Sequence, residues 1–360
     1  MLFRRSPAVP YPLSISSNGR RAVGPLLVST LLFASSCAFD FHVFAATVVT
    51  PAEAEVSPAE IAFASRLARE DGLVEQKILS TLAEAQVQPG IIEAMTRPAE
   101  AKPWKEYRPI FVNDKRIADG VAFYREHRAL LERVRRESGV APEIIVAILG
   151  VETNYGRIVG HYRVLDALTT LAFHYPPREE FFRGELRQLF LLGDRHLAYP
   201  ITELKGSYAG AMGWGQFMPS SIAKFARDED GDGAIDLWNS LPDVIGSVAN
   251  YFHEFGWEEG APVATRAQPA LHGLRKIDPD GLEPVYPVEQ MESWGYAPLT
   301  RTDPGTLSTL LTLDGEQGPQ YWLTFNNFYV ISRYNHSPLY SMAVWQLASA
   351  IARGAAVPDS

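Results

Sequence analysis

The sequence predicts a mainly α protein of the α+β class: a helical core, an all-helical N-terminal domain and a small sheet-containing subdomain. Apolar residues recur at helical spacing through most of residues 61–255. The spacing fades between Gly260 and Gly318, where prolines and glycines crowd and short runs rich in β-branched and aromatic residues follow. It returns from about Ser341 to Ala352. A chain of 360 residues with 46% apolar and 21% charged content has enough material for two or three domains and a sizeable core.

Arg4, Arg5, Arg20 and Arg21 precede an apolar run from Ala22 to Phe39, the pattern of an export signal, and Val43-Phe44-Ala45 offers a cleavage site. A second reading uses the single cysteine: Phe33-Ala34-Ser35-Ser36-Cys37 resembles a loose lipoprotein box, with Cys37 as the lipidated first residue and an outer-membrane anchor. Residues 1–45 are thus read as a signal peptide, or as a lipoprotein signal ending before Cys37, and 46–60 as an Ala/Pro/Glu-rich linker. One cysteine rules out an intrachain disulfide. Loss of residues 1–45 removes four arginines and Asp40, taking the formal net charge from −9 to −12. Such acidity argues against nucleic acid as a partner.

From Ile61 to Met95 three short helices are expected, carrying Phe63 and Leu67, then Ile78 and Leu82, then Ile91 and Met95, with Asp71-Gly72 and Pro89-Gly90 as breaks. Pro98 to Pro109 reads as an irregular connection holding Trp104 and Tyr107. One longer helix is expected over Ile117–Ser138, with Phe123, His127, Leu130, Leu131 and Val134 on its apolar face; His127 there reads as a core histidine, not a ligand. Helices follow at Val164–Phe173, Glu179–Leu192, from Pro219, and at Leu241–Phe255. Thr306–Leu313, Tyr321–Phe325 and Phe328–Ile331 read as strands. Domain limits follow these shifts: 61–110 helical, 111–259 core, 260–320 partly β, and 321–355 returning to the core.

One acidic residue stands out. In Ala141-Pro-Glu-Ile-Ile-Val-Ala-Ile-Leu-Gly-Val-Glu152-Thr-Asn-Tyr-Gly156, Pro142 opens a helix and Gly156 closes it. Ile145, Ile148, Leu149 and Glu152 fall at i, i+3, i+4 and i+7, so a carboxyl sits on the stripe a helix buries. Apolar surroundings and the negative end of the helix dipole both raise its pKa, as a general acid requires. The competing reading is a structural ion pair with Arg157 or Arg163.

P-loop, His-Glu-x-x-His and Gly-x-Ser-x-Gly signatures are absent, Gly210-x-x-Gly213-x-Gly215 runs backwards for a dinucleotide loop, and the histidines have no ligand spacing. No organic cofactor is therefore expected. A buried acid remains, with aromatic and amide side chains around it in the chain. Tyr107, Tyr208, Trp214, Phe217, Tyr251, Tyr334 and Tyr340 offer flat faces; Ser207, Gln216, Asn250 and Asn335 offer hydrogen bonds. Sugars take that mixture. Leu204–Phe217 holds four glycines within residues 206–215, too many for a stable helix. In Asp228-Glu-Asp230-Gly-Asp232-Gly233-Ala234-Ile235-Asp236, carboxylates at positions 1, 3, 5 and 9 and glycine at 6 match an EF-hand calcium loop, with the Ala234 carbonyl at position 7. Position 12 is Asn239 in place of Glu.

Ile148-Leu-Gly-Val-Glu-Thr-Asn-Tyr-Gly156, Lys205-Gly-Ser-Tyr-Ala-Gly-Ala-Met-Gly-Trp-Gly-Gln-Phe-Met-Pro-Ser-Ser221, Gly246-Ser-Val-Ala-Asn-Tyr-Phe252 and Ser332-Arg-Tyr-Asn-His-Ser337 resemble the lytic murein transglycosylase B family, in that family's order. The resemblance runs from about Ile61 to Ala352. It implies a lysozyme-like helical core, a periplasmic location and peptidoglycan glycan strands as substrate. It implies cleavage of the β-1,4 bond between N-acetylmuramic acid and N-acetylglucosamine, without water, to leave 1,6-anhydro ends. Glu152 is then the lone acid/base, and Ser207, Gln216, Tyr251, Tyr334, Asn335 and Tyr340 contact sugar. A short Trp-x-x-Tyr-Arg match at Trp104–Arg108 adds Tyr107. The family's longer calcium loop is closed by a later Asp, here Asp243, beside Asp228, Asp230, Asp232 and Ala234. Spacing alone leaves two alternatives: a muramidase that hydrolyses the same bond, and a non-catalytic peptidoglycan-binding protein.

Overall fold

The computed structural model describes residues 56–96, 102–193 and 197–357. The export signal, its cleavage site and Cys37 lie outside the described residues, as does most of the linker. Helices α1 (Pro58–Asp71), α2 (Glu75–Ala83) and α3 (Pro89–Thr96) open the chain. Ser57 and Glu60 form a reciprocal capping box at the start of α1, and Gly72, at φ 71°, ends it. Phe63 packs on Phe173 and Phe190, so these helices share the main core.

Next come α4 (Trp104–Phe111), α5 (Asp114–Glu126), α6 (Arg128–Ser138) and α7 (Pro142–Thr153). Two expectations fail here. The connection at Pro98–Pro109 ends in a helix, α4, despite Pro109 inside it. Its buried residues, Trp104 and Phe111, anchor it from both ends, and that packing outweighs the missing N–H. The single helix over Ile117–Ser138 is two, broken at His127, whose φ/ψ of −105°/19° leaves the helical region. His127 stacks edge-on against Phe123 at 4.5 Å, half-buried and away from any metal-ligand group among the described residues.

Helix α7 is the centre of the core, packed against α5, α6, α11 (Leu241–Glu254) and α14 (Pro338–Ala356). It is buried on all sides: Ile144, Val146 and Ala147 are as enclosed as Ile145, Ile148 and Leu149. One apolar stripe therefore understates its burial; a helix apolar all round belongs inside. Each buried Ile, Val or Leu there contributes roughly 1.5–3 kcal/mol.

The rest of the helical body is α8 (Val164–His174), α9 (Glu179–Leu192) and α10 (Pro219–Phe225). A two-stranded pair, β1 (Tyr162–Arg163) with β2 (Lys205–Gly206), tethers the glycine-rich loop to the start of α8. A five-stranded antiparallel sheet follows, ordered β4-β6-β7-β3-β5, from β3 (Ala264–Pro269), β4 (Tyr286–Pro287), β5 (Tyr296–Pro298), β6 (Leu307–Gly315) and β7 (Gly318–Thr324). The short helix α12 (Val288–Ser293) joins β4 to β5. Val288, Met291, Tyr296, Leu310 and Leu323 form the sheet's own small core.

The expected strand at Phe328–Ile331 is instead part of helix α13 (Asn326–Tyr334). Its aromatic and β-branched residues suit a strand. However, the Asn327 amide donates to the Glu258 and Ala261 carbonyls and its oxygen accepts from the Glu258 N–H. This anchors the first turn, and the run buries Phe328, Val330 and Ile331 in the helical core.

Candidate active site

Glu152 lies in the last turn of α7, which ends on successive left-handed residues: Asn154 at φ 52°, Tyr155 at 59° and Gly156 at 78°. Gly156 is obligatory, because a Cβ there would fall 2.2 Å from the Trp214 ring. Thr153 stitches this turn to the glycine-rich loop: its hydroxyl donates to the Trp214 carbonyl at 2.9 Å and accepts from Gly156 N–H at 3.0 Å.

The Glu152 carboxyl faces a cleft of about 230 Å3. Tyr340, fully buried at the start of α14, donates its hydroxyl to Glu152 Oε1 at 2.5 Å. Burial pushes the Glu152 pKa up from 4.5 to about 7, with the Tyr340 hydrogen bond pulling the other way. Both candidate ion pairs are spent elsewhere: Arg157 binds Asp119 at 2.7 Å and Arg163 binds Asp166 at 2.6 Å. The cleft's own cations, Arg116 and Arg333, rest on Phe111 and on Phe255 and Tyr329. Among the described residues Glu152 is the one carboxyl lining the cleft.

Of the seven residues expected to contact sugar, five line the cleft, namely Ser207, Gln216, Tyr251, Tyr334 and Asn335, whereas Tyr340 is fully buried behind Glu152 and off its surface. Gln216, at φ 52°, ties its amide nitrogen to the Val159 and Gly213 carbonyls at 3.2 and 2.9 Å, which leaves its amide oxygen to accept from a ligand. Ser207 Oγ accepts from Ala211 N–H at 3.0 Å and keeps its proton to donate. Tyr334 donates to the Gly215 carbonyl at 2.5 Å and Tyr251 to the Arg333 carbonyl at 2.6 Å, their rings 4.8 Å apart. Burial, followed by the Glu152 charge, raises the Tyr334 and Tyr340 hydroxyls well above 10, so both stay protonated.

Tyr107 stands differently. It is outside the cleft lining, but its pKa is raised by burial and by the Glu152 charge, so it sits in the wall within electrostatic reach. On the same face of α4, Ile110 and Phe111 reach the cleft. Two members of the wider polar and aromatic set have other tasks: Trp214 donates its indole N–H to the Trp238 carbonyl, and Asn250 bonds to Phe225 and Arg227. Arg116, Ile158, Met218, Ser221 and His336 also line the cleft and were not singled out in the sequence. Met218 and Ser221 were within reach, since both lie in the motif that carries Gln216.

In the acidic loop, Asp228, Asp230 and Asp232 bring carboxylate oxygens within 4.8 Å of one another at the surface. No Lys or Arg pairs with them among the described residues, so an oxygen-seeking cation fits this donor set. Asp228 also accepts three backbone N–H bonds, from Gly231, Asp232 and Gly233. Asp243, the expected closing ligand, is not among the three converging carboxylates. It is buried, and its two oxygens accept from Glu229 and Asp236 N–H at 2.8 Å each, bracing the loop from beneath. Asn239 is also taken up elsewhere, with its amide on Tyr199.

A helical body around a central acid-bearing helix, with a tyrosine-lined cleft beside it, is the architecture of a glycan-cleaving enzyme. Residues 57–349 match the transglycosylase SLT domain family, and the chain belongs to it. It is 41% identical over 300 residues to the membrane-bound lytic murein transglycosylase B of Escherichia coli K12, covering 81% of each chain. Among solved structures it resembles the Escherichia coli lytic transglycosylase Slt35 in complex with calcium (41% identity, TM-score 0.75, 83% of this chain and 94% of that one). It also resembles SltB3 of Pseudomonas aeruginosa in complex with NAG-NAM-pentapeptide (30% identity, TM-score 0.71, 81% and 78%).

Proposed function

We propose that this lytic transglycosylase cleaves the β-1,4 bond between N-acetylmuramic acid and N-acetylglucosamine, with Glu152 as acid and then base. One observation carries this: a single carboxyl, buried to a pKa of about 7, in a cleft with no second acid among the described residues. Ordinary glycosidases use two carboxyl groups. A lone acid suffices where the substrate supplies its own nucleophile. Protonated Glu152 gives its proton to the leaving glycosidic oxygen as the C1–O bond breaks. The muramic N-acetyl oxygen shields the positive charge growing at C1. Glu152, now a carboxylate, takes the proton of the 6-hydroxyl as that oxygen closes on C1. Glu152 ends protonated, the sugar ends as a 1,6-anhydro ring, and no water is consumed. Tyr340 orients the carboxyl throughout; Ser207, Gln216, Tyr251, Tyr334 and Asn335 hold the sugars, with Tyr107 backing the wall.

Asp228, Asp230 and Asp232, with the Ala234 carbonyl, would hold a structural Ca²⁺ that neutralises the loop's charge. Asp243 supports that loop from below. The protein acts in the periplasm, soluble or anchored to the outer membrane through Cys37; palmitate labelling of wild type against Cys37→Ala separates the two. Among the described residues no helix is long and apolar enough to cross a membrane.

Mass spectrometry of digested sacculi tests the reaction. Products one water lighter than hydrolysed muropeptides are expected, and Glu152→Gln should release none while still binding glycan. Products carrying the added water would make the protein a muramidase; no products from the wild type would make it a binder.

A further inference from the structure

Helix α4 separates the cleft from a second cavity. Ile110 and Phe111 face the cleft, whereas Trp104, Lys105, Arg108 and Pro109 line a pocket of about 590 Å3 completed by Arg266, the β6–β7 hairpin and Gln346 of α14. Nothing in the reaction above uses it. Its chemistry is lopsided toward donors. Arg108 spends its Nε on the Gln346 amide oxygen at 2.6 Å, and Arg266 lies 5.1 Å over the Trp322 ring. Neither guanidinium has a carboxylate partner among the described residues, although the protein as a whole is acidic. Lys105 is matched by Asp314 at 3.6 Å, and Glu316 at the hairpin tip is exposed. Arginine side chains have donors only, so such a pocket is completed by a group that accepts. Two guanidinium forks select a carboxylate or phosphate.

The pocket's position favours the carboxylate. Helix α4 is eight residues long, about 12 Å, and a helix is about 10 Å across. An extended peptide covers ~3.3 Å per residue. A peptide of four or five residues that starts on a sugar in the cleft can therefore pass α4 and present its end to Arg108 and Arg266. We infer that the pocket between α4 and the β6–β7 hairpin binds the free C-terminal carboxylate of the stem peptide on the muramic acid in the cleft. This rests on the peptidoglycan reading above and adds a second point of attachment, selecting strands whose stems are long and uncrosslinked.

The test pairs kinetics with direct binding. Arg108→Gln/Arg266→Gln should raise KM roughly tenfold on glycan strands bearing pentapeptides, the loss expected for a charge-assisted contact. On strands stripped of peptide by an amidase, KM and kcat should stay within twofold of wild type. Should the double variant melt early, the exposed Arg108→Gln alone should show about a threefold KM effect. By calorimetry the free pentapeptide should bind wild type and not the double variant, and its C-terminal amide should bind at least tenfold more weakly. Equal losses on both substrates, or equal binding of acid and amide, would overturn the assignment. So would inorganic phosphate binding more tightly than the peptide. Wild-type turnover of stripped strands reports on the reaction independently of the pocket.

Discussion

The buried carboxyl makes Glu152→Gln a test with two readouts of opposite sign. In the unfolded chain Glu152 titrates near 4.5, and in the folded protein near 7. Its folded pKa is raised, so folding binds a proton between those values. The stability this confers is complete below about pH 4.5 and is lost as pH rises through 7. Two and a half units at 1.36 kcal/mol each come to about 3 kcal/mol. Gln has nearly the same shape and can still accept from Tyr340, but it carries no charge to desolvate. The variant should therefore match wild type at pH 4 and exceed it by about 3 kcal/mol at pH 8, a Tm difference on the order of 5 °C. It should also release no anhydro product. Urea or thermal melts at both pH values, alongside a sacculus digest, measure this. A stability gap that does not change with pH would mean the carboxyl is not held neutral by burial, and the proton-donor argument would fail with it.

Tyr340→Phe removes the one hydrogen bond that lowers the Glu152 pKa. In the proposed mechanism protonated Glu152 is the active form, so the alkaline limb of the kcat/KM profile should move up by about one pH unit while the maximal rate falls; an unmoved limb would deny Tyr340 this role. Chelation should lower the Tm, and calcium at 100-fold over its Kd should restore about 2.7 kcal/mol. Asp228→Asn/Asp230→Asn should lose that response; equal melts with and without EDTA would remove the ion from the loop. Gly120→Ala places a methyl group 2.4 Å from Tyr155 Oη and 2.6 Å from Ile351 Cδ1. Overpacking at this crossing of α5 and α14 should cost roughly 1–3 kcal/mol by urea titration.

Residues 141–156 were legible because helix signals, apolar content and the acidic residue coincide within one turn-bounded stretch. Glu179–Leu192 emerged with its limits intact for the same reason. Other places were not legible, among them ones where a partner remote in the chain decides. Local preference makes Phe328–Ile331 a strand; Asn327 reaches across to Glu258 and Ala261 and makes it a helix. No glycine or proline marks the break at His127, where φ/ψ of −105°/19° leaves the helical region. Asp243 has the right chemistry for a calcium ligand, but its orientation depends on which backbone N–H groups the folded loop turns toward it.

The cleft illustrates how a loop too rich in glycine to hold itself can still carry precise chemistry. The segment 206–217 has little regular structure beyond β2, so its geometry comes from neighbours. Thr153 grips it at Trp214, directly beside Glu152 in the chain, and Tyr334 grips it at Gly215. Gln216 follows directly after these two points, in a left-handed conformation that its side-chain bonds to Val159 and Gly213 support. The acid, the amide and the tyrosine cluster are thus registered to one another through short polar links, not through the loop's own stiffness. Rigid elements on either side, α7 and the α13–α14 corner, supply the reference frame, and Tyr340 joins that corner back to Glu152. Glycine lets the backbone approach neighbouring groups closely, and the side-chain anchors limit the freedom that glycine would otherwise bring.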